Sequence, residues 1–346
     1  MVDEPAHIHR VLAEVAGIAA APASAAERAR AIVESLRRII PHDGTFLTLF
    51  DAETNRHTPL VREGYDTRTA RHMDGPVFAG ELDLVGLRGR GPLRLRDVPV
   101  PVESIEAWGE YLHPAGFREG LAVGLFAFDG RYLGVFNFSM TDPRAASDSA
   151  CALMVRLGPL IADAVDPMRT VAVMASVVAG AIAGVVVTRA GATLPMPGLP
   201  AHPALVIGSP VLAAAIARQP TAPYLSFLAP VYSRTSATVL IRVTALSVPV
   251  QVPSHLIGAV LLSPPPTDLH DLTRRELEVL GALTEGWSSG RIAAALSVTE
   301  RTVAAHVEHI KVKLAAPSRT VAAVRAARQG LYIPVELSRA GPILAR

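Results

Sequence analysis

Cys151 is the only cysteine in the 346 residues, so no internal disulfide forms, which fits a cytoplasmic protein. Lysine is almost absent: Lys311 and Lys313 are the only two, and every other Lys/Arg position is arginine. No secretory leader is expected, because Met1 to Pro5 carries Asp3 and Glu4 where a basic segment before an apolar run would stand. A long charge-free run occurs at Val171 to Val187 and sits at the lower length limit for a membrane span. It is built mainly from Ala, Gly and Val, without Leu or an aromatic belt. It divides into a helical part to about Ala181 and a β-branched strand from Gly184 to Thr188, so no membrane association is expected.

Catalytic constellations are lacking as well. There is no Gly-x-Ser-x-Gly elbow and no cysteine–histidine pairing that suggests a nucleophile. His42-Asp43 has none of the further ligands a metal-dependent hydrolase needs, and its place at a helix-to-strand junction reads as a turn. His202, His255 and His270 lack ligand spacing. Gly86, Gly89 and Gly91 with Arg88 and Arg90 form a Gly/Arg loop without the Lys-Ser/Thr ending of a phosphate cradle, and a flexible loop is expected there. No enzyme activity, metal or cofactor is therefore expected.

What the chain has is size, apolar content and localised charge. Half of the residues are hydrophobic, and the length gives room for two or three domains. The net charge is +2, yet Leu272 to Pro334 holds nine Lys/Arg against five Asp/Glu, a net of +4 that leaves −2 for the remainder. A basic segment on a near-neutral chain points to a polyanion partner.

Local signals in that segment specify four helices. Thr273 and Glu276 have capping-box spacing, so a helix starts at Arg274 and buries Leu277, Val279, Leu280 and Leu283, with Gly286 just past its end. Ser288 or Ser289 caps a second helix that buries Ile292, Ala293 and Leu296. Ser297-Val298 makes a tight turn, and Thr299 caps a third helix from Glu300 to about Leu314. Val303, Val307, Ile310 and Leu314 fall on one face of it, which leaves Arg301, Ala304, Ala305, Glu308 and Lys311 on the other. Pro317-Ser318 breaks the chain, and Ser318 caps a fourth helix ending at Gly330.

This segment resembles the LuxR/NarL-type DNA-binding domain of bacterial transcription regulators. The matching residues are Leu272-Thr273, Arg275-Glu276, Glu278-Val279-Leu280, Gly286, Ser288, Ile292-Ala293, Val298-Thr299, Thr302-Val303, His306, Ile310, Lys313-Leu314, Arg319-Thr320 and Ala323-Val324. The resemblance implies a helix-turn-helix whose third helix enters the major groove and whose fourth helix pairs two protomers, here through Val321, Val324 and Ala327. It departs from the family where a Lys and a polar residue often follow the Thr-Val pair, since Ala304 and Ala305 stand there, and Glu308 occupies a position commonly basic or polar. Alanine touches a thymine methyl and glutamate accepts from a cytosine amino group. Affinity is then expected to rest on phosphate contacts from Ser289, Arg291, Arg301, Thr302 and Lys311, with Ser288 beside them.

Upstream the pattern is α+β. Helices are expected at His7 to Ala20 and from the Ser24/Glu27 capping box to about Ile40. Strands follow at Gly44–Asp51 and His57–Arg62, then a hairpin of Leu121–Phe128 and Tyr132–Met140 around Asp129-Gly130-Arg131, and a helix from Asp148 to Val165. Residues 20 to 167 are similar to a GAF domain, on Ala115-Gly116-Phe117, Glu119-Gly120-Leu121, Asp129-Gly130-Arg131 and Leu133-Gly134-Val135. A GAF fold implies a pocket between one sheet face and the helices and loops over it.

Residues 168–266 offer strand runs at Gly184–Thr188, Tyr224–Val231, Thr238–Val248 and Leu256–Leu262, a Pro-rich stretch at Leu194–Pro203 and a helix at Pro210–Arg218. This set resembles a PAS-like sensor, with Ser263-Pro264-Pro265-Pro266 as a stiff linker. The expected architecture is multidomain: an α+β GAF-like sensor (1–167), an α+β PAS-like middle region (168–266), an all-α four-helix LuxR-type helix-turn-helix domain (267–334) and a tail (335–346). The expected function is sequence-specific DNA binding by a homodimeric cytoplasmic regulator, with RNA polymerase and a small-molecule ligand as further partners. The alternative is a ligand-sensing adaptor whose degenerate helix-turn-helix contacts proteins.

Overall fold

The structure is a computed structural model that describes residues 4–89, 91–218, 224–232, 238–247, 255–339 and 343–344. Arg90, Val248 and residues 1–3, named above, lie outside that set. Packing divides the chain into two compact units, Met1–Arg169 with Val250–His255, and Thr170–Pro249 with Leu256–Arg346.

The first unit begins with α1 (Glu4–Ala20) and α2 (Ala25–Arg37), the second opened by the full Ser24/Glu27 capping box. Then come β1 (Gly44–Asp51), β2 (Arg56–Glu63), α3 (Thr67–Met73), α4 (Pro76–Leu84), β3 (Leu93–Arg94), β4 (Glu119–Phe126), β5 (Tyr132–Met140) and α5 (Asp148–Val165). The strands form one sheet in the order β2-β1-β5-β4-β3. Both faces are covered, so alternate residues feed different cores. Leu47, Leu49, Phe136 and Phe138 meet α1, α2 and α5, whereas Phe46 and Val135 meet α3, α4 and the segment around a π-turn at Ala107–Leu112. His42-Asp43 takes the expected turn position: the Asp43 carboxylate accepts from the Thr141 backbone and hydroxyl at 2.7 Å. The Gly/Arg loop is less open than expected. Arg88 lies 4.2 Å over the Phe50 ring and pairs with Asp83.

The second unit holds α6 (Pro167–Ser176) from Thr170 onward, β6 (Ala183–Thr188), β7 (Thr193–Pro195), α7 (Pro210–Arg218), β8 (Tyr224–Tyr232), β9 (Thr238–Ser247) and β10 (Leu256–Ser263). Five helices follow: α8 (Arg274–Thr284), α9 (Ser289–Leu296), α10 (Glu300–Lys313), α11 (Arg319–Gln329) and α12 (Val335–Arg339), then a short β11 (Ile343–Leu344). The apolar run at Val171 splits into helix and strand as read, with the helix ending sooner, at Ser176. Among the described residues no helix is long and apolar enough to cross a membrane.

The second sheet runs β11-β8-β9-β10-β6-β7. Without β11 its order, counted from β6, is second, first, fifth, fourth, third, the same as in the first unit. The chain thus contains two antiparallel α+β sheets of one topology plus a helical C-terminal domain.

The helical domain does not hang from the Pro-rich segment as a separate bead. One apolar core runs from Phe227, Val243 and Val260 of the sheet to Leu277, Ile292, Val303 and Ile310 of the helices. The segment after α11 ties them together. Tyr332 carbonyl accepts from Leu228 N–H of β8 at 2.8 Å, and Ile333 N–H donates to the Leu277 carbonyl of α8 at 3.0 Å. This strap lies so close to α8 that a Cβ on Gly281 would stand 2.8 Å from the Ile333 carbonyl carbon. Arg218 at the end of α7 bonds Glu285 at 2.6 Å and Glu336 at 2.7 Å. Arg242 of β9 bonds the Gln329 carbonyl.

Candidate nucleic-acid interface

The four helices 274–329 sit where their caps place them. Thr273 and Glu276 complete the capping box of α8, with the Glu276 carboxylate accepting from the Thr273 backbone at 2.7 Å. Glu276 is buried, and burial pushes its carboxyl up. The Lys313 ammonium at 2.7 Å and the Thr273 bonds outweigh that and hold it below its ordinary value. Lys313 is therefore a structural cation of α10. Buried Glu278 is bracketed similarly by Arg274 and Arg275.

Ser288 Oγ accepts from Arg291 N–H and so caps α9, leaving Ser289 at the first helical position. The helix ends at Ser297 with φ 53°, a left-handed residue that turns the chain sharply enough for Thr299 to cap α10 two residues later. Val303, Val307 and Ile310 are buried and Leu314 is 6% exposed, so one face of α10 is locked into the core. The Arg325 guanidinium bonds the Leu314 and Ala315 carbonyls at 2.7 Å and neutralises the negative end of the helix.

The opposite face has the expected composition: Arg301, Ala304, Ala305 and Glu308 are exposed, and Thr302 and Lys311 are half-buried. Two features change its charge balance. Lys311 Nζ pairs with Glu308 at 2.9 Å, so these two side chains largely cancel. Arg291 stacks 3.8 Å over the Trp287 ring, fixing a cation beside the capped start of α9. The capped N-termini of α9 and α10, at Ser288 and Thr299, both bring backbone N–H groups to this part of the domain. On α11, Val324 and Ala327 are exposed, whereas Val321 packs partly against the unit's own core.

The first unit contains a cavity of about 100 Å³ under α4 and the π-turn, lined by Phe78, Leu82, Ile105 and Trp108. Its polar lining includes Glu81, Arg94, Glu119, Asn137 and Ser139, the last three along one edge. Tyr65 closes that edge, with its hydroxyl 2.9 Å from Ser139 Oγ and 3.2 Å from Asn137 Nδ2, and burial pushes its pKa up to about 12. Apart from Glu119, which carries the GAF resemblance, sequence reasoning did not single out these residues, because they come from segments far apart in the chain. The strap at 331–333 and the Arg218 pairs were missed as well, and the one local signal was Gly281, a glycine in a helix interior.

Residues 270–326 match the family described as bacterial regulatory proteins, luxR family. The transcriptional regulatory protein LnrK of Bacillus subtilis is 46% identical over 68 residues, 20% of this chain and 31% of that protein. The HTH-type quorum-sensing regulator RhlR of Pseudomonas aeruginosa is 47% identical over 60 residues, 17% of this chain and 25% of that protein. The chain thus spans less than a third of the length of these relatives. Among solved structures, the GAF domain of a phosphoenolpyruvate-protein phosphotransferase from Coxiella burnetii overlays 47% of this chain and 95% of its own at 18% identity, TM-score 0.38. Escherichia coli SdiA overlays 89% of this chain and 92% of its own at 16% identity, TM-score 0.29. Capped helices, the locked core of α10 and the family match converge on one identification: residues 270–326 are a helix-turn-helix domain of the LuxR family of bacterial regulatory proteins.

Proposed function

We propose that this protein is a sequence-specific, dimeric DNA-binding transcription regulator of the cytoplasm, with its two sheet domains as sensors. The observation that carries the reading is α10 itself. Its apolar face is fixed in a core and its other face presents Arg301, Ala304, Ala305 and Glu308 to solvent. Arg301, Thr302, Lys311, Ser288, Ser289 and Arg291 bind phosphates and set the register, and Ala304, Ala305 and Glu308 meet base edges. Two protomers join in part through Val321, Val324 and Ala327 of α11, which places two recognition helices about one helical turn apart on DNA. The cavity under Trp108 is the candidate sensor site of the first unit, and RNA polymerase is the downstream partner.

The test is binding of the full chain to random duplex DNA across a salt series, with bound fragments sequenced. Enrichment of a pseudo-palindrome with a steep salt slope supports the reading. Arg301→Ala then weakens binding to all sequences alike and flattens the slope. The internal Lys311–Glu308 pair favours a second reading, an adaptor whose helix-turn-helix contacts proteins. Absence of DNA binding at low salt would put that reading first.

A further inference from the structure

The second unit has a cavity of its own, of about 290 Å³, between β6, β7 and the loop before α7. Val185, Leu194, Leu199 and Leu205 supply apolar walls, and His202 and Thr193 are the polar side chains of the lining. Among the described residues no charged side chain lines it. Two large apolar side chains of its lining, Val206 and Ile207, are 58% and 62% exposed, which leaves apolar surface uncovered at the rim.

The chemistry of His202 narrows the ligand. Its Nδ1 accepts the Ala204 N–H at 3.1 Å, so the neutral ring carries its proton on Nε2 and has one donor left. Burial lowers the pKa of this histidine, which keeps it neutral. A neutral donor in an apolar site suits an uncharged acceptor, because a carboxylate would lose its hydration without a compensating cation.

The same wall is wired to the DNA-binding domain. Ser209 Oγ donates to the Ala204 carbonyl at 2.8 Å and accepts from Val211 N–H at 3.2 Å, which joins the cavity loop to the first turn of α7. The other end of α7 is Arg218, held between Glu285 at the end of α8 and Glu336 of α12. A rigid helix therefore links a ligand-sized hole to the helix-turn-helix.

We propose that the cavity beside His202 binds a neutral, mainly apolar molecule bearing one carbonyl acceptor, and that its occupancy reaches the helix-turn-helix through α7 and Arg218. The coupling half rests on the reading of the chain as a sensor-controlled regulator, but its test does not use DNA. The probe is prodan, an uncharged naphthyl ketone whose emission reports both apolar surroundings and hydrogen bonding to its carbonyl.

Titrated into the full chain, prodan gives saturable one-to-one binding. His202→Phe keeps a planar aromatic ring, removes the donor and weakens binding about fivefold. Val206→Trp, at an exposed position that leaves folding intact, blocks it. Bound prodan slows hydrogen exchange of backbone amides at residues 283–288 in the native chain and leaves them unchanged in Arg218→Met. Saturable binding that survives both cavity variants would overturn the site. Exchange at 283–288 that ignores prodan, or responds equally without Arg218, would overturn the coupling. Failure of DNA binding alone would sink the proposed function and leave this site standing.

Discussion

Gly281→Ala tests how the C-terminal strap holds the helix-turn-helix to its sheet. In an isolated helix this change stabilises by about 1 kcal/mol, because alanine is the better helix former. Here the added methyl would lie 2.8 Å from the Ile333 carbonyl carbon and inside the contact radius of its oxygen. Both are backbone atoms, so no rotamer change relieves the clash, and the strap must retreat by more than about 1 Å. That breaks the Ile333 N–H to Leu277 carbonyl bond, at about 1–3 kcal/mol for groups left buried and unpaired. It also begins to expose Ile333, which is fully buried and contributes about 2–3 kcal/mol through its side chain. Subtracting the helix gain, and allowing for partial relaxation, leaves a net loss of about 2–4 kcal/mol. Gly290→Ala is the internal control. Its Cβ would meet only the flexible end of Glu300 at 3.0 Å, so that change should be neutral or mildly stabilising. Urea unfolding followed by tryptophan fluorescence, with Trp287 in the helical domain, reads both. Equal midpoints for the two variants would refute the account of the strap.

Three further outcomes are expected. Glu308→Gln releases Lys311 from its partner, so DNA affinity at low salt should rise severalfold and the salt slope steepen by about one unit; a lower affinity would mean that the base contact of Glu308 outweighs the freed cation. Lys313→Met leaves buried Glu276 without its cation and should cost about 1–3 kcal/mol in thermal unfolding, despite lying on the recognition helix. Burial depresses His57 from its ordinary value to about 3, so the folded first unit keeps it neutral where the unfolded chain protonates. The stability this histidine contributes is complete above about pH 6.5 and is lost as pH falls towards 3, at up to about 1.4 kcal/mol per pH unit. His57→Gln should flatten that part of the pH–stability curve, and an unchanged slope would show that other groups carry it.

The helix-turn-helix was legible almost residue by residue, since caps, turns and the 3.6-residue period act within a few positions of each other. Thr273, Ser288, Thr299 and Ser318 all cap as their spacing implies. The hairpin at Asp129-Gly130 was equally local. Strand order was not, because β1 pairs β5 across nearly a hundred residues and no short pattern encodes that choice. The shared topology of the two sheets stayed hidden for the same reason. The roles of charged residues were half legible. Arg301 is exposed as expected, but the Lys311–Glu308 and Lys313–Glu276 pairs depend on side-chain reach and burial that periodicity does not supply.

The family match ends at residue 326, yet the chain continues beyond it as a guard for its own sheet. Without Tyr332 and β11, strand β8 would offer its backbone groups to any passing strand, and open edges of this kind recruit neighbours into aggregates. A fragment trimmed to the family boundary would lose the strap against Gly281 and expose that edge at once. The few residues after α11 therefore serve solubility as much as packing. They let a sheet and the helix-turn-helix share one core without leaving a sticky rim.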